Sequence, residues 1–67
     1  MLSNFSQKGE KIFAQKILPQ ISIEQLKGKF IAIEVESGKY YIDNTIVDAI
    51  HKAQRDFPEK EFYLKRI

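Results

Sequence analysis

Sixty-seven residues, with eleven Lys and Arg against nine Asp and Glu, one histidine and no cysteine, are enough for one small domain. A chain of this length buries only about 60% of its unfolded surface, which argues against a deep enzyme cleft. Without cysteine there is no disulfide framework or thiolate zinc site, and His51 alone builds no ligand cluster, so neither a metal centre nor a cofactor is expected.

The absence of cysteine makes an intracellular, cytoplasmic setting the default expectation. No basic region followed by an apolar run opens the chain, and no window approaches the roughly 20 apolar residues of a membrane span. A soluble, unprocessed protein is therefore expected. The net charge of +2 is spread as alternating signs, whereas phosphate binding usually concentrates Lys and Arg on one face.

Residues 1–21 read as an N-terminal helical arm. Phe5, Ile12, Phe13 and Ile17 fall near helical spacing, with Lys8, Glu10, Lys11, Gln15 and Lys16 between them. The pattern predicts a helix from about Ser6 to Leu18, capped by Ser3 or Ser6 and stopped by Pro19. Gly9 weakens its first turn by about 1 kcal/mol relative to Ala. So short a helix is marginal alone, so Phe13 and Ile17 must bury against this protein's own sheet, a partner or a second copy. Ser22-Ile23-Glu24-Gln25 is a capping box opening a one-turn helix, which Gly28 ends.

Residues 22–67 read as a ββαβ domain. In the first strand Ile31, Ile33 and Val35 share one face, and Phe30, Ala32, Glu34 and Glu36 the other. A two-residue Ser37-Gly38 hairpin would set Glu36 against Lys39, Val35 against Tyr40, Glu34 against Tyr41 and Ile33 against Ile42. Thr45 caps the next helix with Asp48 three residues on, and Asp48 and Lys52 stand at pairing distance along it. Ile46, Ala49, Ile50, Ala53 and Phe57 form its buried stripe. Pro58 ends the helix, and Glu61 to Ile67 form a last strand that turns Phe62 and Leu64 to the helix. A right-handed crossover makes that strand parallel to the second, and the short turn after Phe57 with the apolar character of the first strand places it beside that first strand. The expected fold is α+β, a three-stranded mixed sheet of order 2-1-3 with one helix on one face. The other face would then present Phe30, Ala32, Tyr41, Tyr63 and Ile67 among Glu34, Asp43 and Lys65, an aromatic surface that the arm or a partner must cover.

No catalytic constellation accompanies this fold. His51 sits on the polar side of its helix with no partner acid or nucleophile in view. Glu34 and Glu36 resemble paired hydrolase carboxylates, but cross-strand contacts with Lys39 and Tyr41 explain them more simply. Gly9, Gly28 and Gly38 are isolated and form no phosphate loop. Binding remains, and its candidate residues are Phe5, Phe13, Ile17, Phe30, Tyr41, Tyr63 and Lys65 for a protein partner or self-association. The alternative is nucleic acid, stacked on Tyr41 and Tyr63 beside Lys27, Lys29, Lys39, Lys65 and Arg66. No small-molecule substrate is expected.

The run Phe30-Ile31-Ala32-Ile33-Glu34-Val35, then Gly38-Lys39-Tyr40, then Asn44-Thr45-Ile46-Val47-Asp48-Ala49 with Ala53 resembles the core of the HicB antitoxin family. Thr45, Asp48, Ala49 and Ala53 match that family's Gly-x-Thr-x-x-Glu-Ala helix start, with Asn44 at the glycine position and Asp48 for Glu. Residues 25–67 are also similar to small uncharacterised prokaryotic ββαβ domains. The family's longer loop before the helix and its DNA-binding segment have no counterpart in these residues. The resemblance thus implies a small prokaryotic antitoxin-like or adaptor subunit that binds a protein partner.

Overall fold

The computed structural model describes residues 3–67, so the first two residues of the arm lie outside the described part. The order is α1 (Asn4–Ile12), a π-helical turn (Phe13–Ile17), a 3-10 turn (Leu18–Gln20), α2 (Ile23–Leu26), β1 (Phe30–Ile33), β2 (Tyr40–Asp43), α3 (Ile46–Asp56) and β3 (Tyr63–Arg66). The strands form one sheet of order β2-β1-β3. Both neighbouring pairs are antiparallel, so the expected mixed sheet is corrected to an antiparallel one. β2 and β3 do run in the same direction, but β1 lies between them.

Local capping sets where the helices begin. Ser3 accepts the Ser6 amide, so α1 starts at Asn4, two residues before the expected Ser6. Pro19 does not simply stop the helix at Leu18. The chain widens first into the π turn, and Pro19 sits near the start of the 3-10 turn, where a missing N–H costs least. Ser22 accepts the Gln25 amide at 3.3 Å, and Thr45 accepts the Asp48 amide at 3.1 Å, as the capping patterns require.

The hairpin differs from expectation. Glu34 and Lys39 close a four-residue connection, with the Glu34 amide donating to the Lys39 carbonyl at 2.9 Å and the Gly38 amide to the Glu34 carbonyl at 2.8 Å. Ile33 therefore faces Tyr40 and Ile31 faces Ile42, a shift of two residues from a Ser37-Gly38 hairpin. An even shift keeps every side chain on its face. The reason is the Glu34 carboxylate, which accepts the Ser37 amide at 2.8 Å and the Glu36 amide at 3.2 Å and so stabilises the longer turn. Gly38 closes it at φ +79°, a conformation costly for residues with a Cβ.

Both sheet faces are covered, with α3 and the arm each on the face opposite to the one expected. On one face Ile31 and Ile33 pack with Phe13 and Ile17 of the arm, flanked by Tyr40, Ile42, Tyr63 and Ile67. On the other, Ala32 packs on Ala49 and Ala53 of α3, flanked by Phe30, Tyr41, Phe62 and Leu64. Phe62 and Leu64 do face the helix, and Tyr63 and Ile67 face away from it. Phe30, Ala32 and Tyr41, however, belong to the helix side, because the observed register sets Ala32 against Leu64 and Tyr41. Size explains the division: three alanines let α3 approach closely, while the bulkier isoleucine face receives the arm's large side chains. Because α3 packs through its alanines, Ile46 sits at the margin and stays 39% exposed.

Gly9 is where α1 meets the sheet. A Cβ on it would lie 2.3 Å from Cγ of Tyr63. The Tyr63 hydroxyl donates to Glu10, and Lys65 pairs with the same carboxylate at 3.1 Å, so β3 holds the arm through both side chains. Two expected ion pairs are replaced: Glu36 pairs with Lys60 instead of Lys39, and Lys52 pairs with Asp43 at 3.0 Å instead of Asp48. No helix among the described residues is long and apolar enough to cross a membrane.

Candidate functional site

β1 and β3 pair as far as Ile33 and Tyr63. Continued by one more hydrogen-bonding step, that register would set Val35 against Glu61. The chains part instead, because β1 turns into the Glu34-held connection, and a groove of about 660 Å³ opens between α1, this turn and the approach to β3. Its volume lies within the range of ordinary ligand sites. Asn4, Phe5, Gln7, Lys8 and Lys11 line the α1 side; Glu34, Val35 and Glu36 line the turn; Lys60 and Glu61 complete it.

Phe5 and Val35 supply the apolar surface. The Phe5 ring stands edge-on to Tyr63, with centroids 6.4 Å apart and planes at 66°. Val35 packs against the arm-side core. Neither Val35 nor Glu61 makes a main-chain hydrogen bond to another described residue.

The charges differ in how far they are committed. Glu34 is 2% exposed. Burial alone would raise its pKa, but the hydrogen bonds from Ser37 and the Glu36 amide, with the Lys60 charge, hold it below the ordinary value. Glu36 is paired with Lys60. The side chains of Lys8, Lys11 and Glu61 make no ion pair or hydrogen bond among the described residues.

Glu34 also makes a pH prediction. Its folded pKa lies below the 4.5 of the unfolded chain, so the unfolded state binds more protons in acid. Its stabilisation is present above about pH 4.5 and is lost as pH falls through the folded value. Glu10 and Asp43 are lowered too, Glu10 chiefly by the Tyr63 hydrogen bond and Asp43 chiefly by the Asn44 amide. Urea midpoints measured from neutral pH to about pH 3 should therefore fall in acid, and less steeply in Glu34→Gln. An equal acid slope in the variant would contradict this role for Glu34.

The residues expected to bind a partner are dispersed. Phe5 lines the groove. Phe13 and Ile17 are buried in the protein's own core, where they offer no docking surface. Phe30 lies under Arg66, whose guanidinium is 5.7 Å from the ring centroid. Tyr41 lies on the α3 face and donates to Asp56 at 2.7 Å; burial first, and then Asp56, push its pKa to about 12. Tyr63 lies on the opposite face, and its hydrogen bond to Glu10, with burial, also raises it to about 12. Lys65 pairs with Glu10 and stands 5.2 Å from the Phe13 ring. Tyr41 and Tyr63 thus form no common platform.

Lys8, Lys11, Val35 and Glu61 line the groove, and their sequence signals are ordinary. Two lysines three apart on a helix look like any solvated face. His51 is exposed on α3, and no group of three or more potential metal ligands occurs among the described residues. Compared with protein-family models, curated proteins and solved structures, the chain matches none of them.

Proposed function

We propose that this chain is a small non-enzymatic protein-interaction module, an antitoxin-like or adaptor subunit, and that its partner docks in the groove beside α1. The observation that carries the reading is the groove where β1 and β3 part, which sets the apolar surface of Phe5 and Val35 beside main chain at Val35 and Glu61 that makes no hydrogen bond to other described residues. Accessible main chain beside apolar surface suits a polypeptide ligand, which supplies both kinds of contact at once. The resemblance of the runs between Phe30 and Ala53 to an antitoxin core agrees with such a role. Base stacking has less support, since Tyr41 and Tyr63 lie on opposite faces and each hydroxyl is engaged within the chain.

Affinity capture from the native cell, run with three forms of the tagged chain, tests this. Wild type and Val47→Ala, a change at a 54% exposed position outside the groove, should retain the same protein. Phe5→Ala should lose it by about ten-fold or more, the cost of removing an interface anchor, while its amide spectrum stays folded. Equal capture by all three forms would rule the reading out.

A further inference from the structure

β2 and β3 are both edge strands, and they carry different hazards. β3 ends in Lys65 and Arg66, whose charges discourage a second copy from pairing along it, whereas Tyr40-Tyr41-Ile42 of β2 is aromatic and β-branched and suits an added strand. The pairing pattern shows which β2 groups such a strand would use. The Glu34 amide bonds the Lys39 carbonyl, and antiparallel bonds alternate, so Tyr41 and Asp43 turn their main chain to β1 while Tyr40 and Ile42 turn theirs outward. The Asn44 N–H is the next outward group.

Side chains already hold two of these outward groups. Lys52, reaching over from α3, donates to the Ile42 carbonyl at 3.0 Å, and Asp43 Oδ1 accepts the Asn44 amide at 2.6 Å. The two side chains are joined, with Lys52 Nζ 3.0 Å from Asp43 Oδ2. A residue of an incoming strand would bring an N–H to that carbonyl and a C=O to that amide; the ion pair supplies a donor and an acceptor in their place. We infer that the Lys52–Asp43 pair is a plug on the β2 edge, which keeps a second copy of this chain from adding a strand there. An ion pair that only tied α3 to β2 would have no need to bond a carbonyl turned outward from the sheet. The groove beside α1 takes no part in this role.

The test follows the full chain, isotopically labelled, from about 0.05 to about 1 mM in three variants beside wild type. Lys52→Met removes the donor but keeps an apolar stem, at a side chain that is 43% exposed. Lys52→Ala repeats the loss with a good helix former. Arg55→Met removes one positive charge from an exposed position on the same helix and leaves the plug intact. Both Lys52 variants should show concentration-dependent shifts at the Tyr40 and Ile42 amides and self-associate at least about ten-fold more tightly than wild type, while Arg55→Met behaves as wild type. A merely stabilising ion pair would lower the urea midpoint of the Lys52 variants without moving those amides with concentration. The inference is overturned if both Lys52 variants, folded by their dispersed amide spectra, show no such shifts at the highest concentration, or if wild type shifts as strongly. Equal association of Arg55→Met overturns it as well, since net charge would then govern.

Discussion

Ile17→Ala is expected to cost about 2–5 kcal/mol, the range for emptying a fully buried isoleucine site. That is a large share of the total, since a domain of this size holds roughly 3–10 kcal/mol. The reason is position: Ile17 is fully buried and belongs to the same cluster as Ile31 and Ile33 at the centre of the sheet. The arm is further held where Glu10 meets Tyr63 and Lys65 of β3. Arm and sheet should therefore unfold in one transition. Urea unfolding followed by far-ultraviolet circular dichroism and by tyrosine fluorescence should give coincident curves, shifted to lower urea in the variant with little change in slope. A loss below about 0.5 kcal/mol, or helix signal melting ahead of the tyrosine signal, would mean that the arm is a detachable appendage.

Gly9→Ala is expected to destabilise the folded protein even though it favours the helix in isolation. Alanine gains about 1 kcal/mol of intrinsic helix propensity over glycine. Against this, the new Cβ would lie 2.3 Å from Cγ, 2.4 Å from Cδ2 and 2.7 Å from Cβ of Tyr63. Tyr63 has little room to withdraw, because its hydroxyl is bonded to Glu10 and Phe5 stands at its edge. The helix must lift instead, and overpacking of this kind typically costs about 1–3 kcal/mol, enough to outweigh the gain. Two measurements of opposite sign make the case: a peptide of residues 3–20 should gain helicity on the Gly9→Ala change, while the intact chain should melt several degrees lower. A higher melting temperature for the intact variant would show that α1 does not rest on Tyr63.

Much of the fold was legible because local chemistry dictates it. Ser3, Ser22 and Thr45 each accept an amide three residues on, and that interaction needs no tertiary partner. The order of elements followed from apolar periodicity, and the β2-β1-β3 arrangement from the short turn after Phe57 and the apolar character of the first strand. The hairpin length was misread because the deciding group, the Glu34 carboxylate, acts through a side-chain bond to the turn that residue preferences do not encode. Which face α3 covers was misread for a different reason. Both strand faces carry apolar residues, and alternation alone cannot say which will meet a helix.

The candidate site was the least legible part. Phe5 stood out as an aromatic in a helical arm, but Lys8, Lys11, Val35 and Glu61 acquire meaning only where β1 and β3 part. The amino-acid sequence by itself determined the caps, the elements and the strand order, because these depend on neighbours within a few residues, on the length of a connection and on how apolar a strand is. Tertiary structure alone decided that α3 takes the alanine face, that the arm completes the core over Ile31 and Ile33, and that a groove opens beside it. Those outcomes depend on side-chain volume and on close contacts between residues distant in the chain, such as Gly9 beneath the Tyr63 side chain, which no local pattern records.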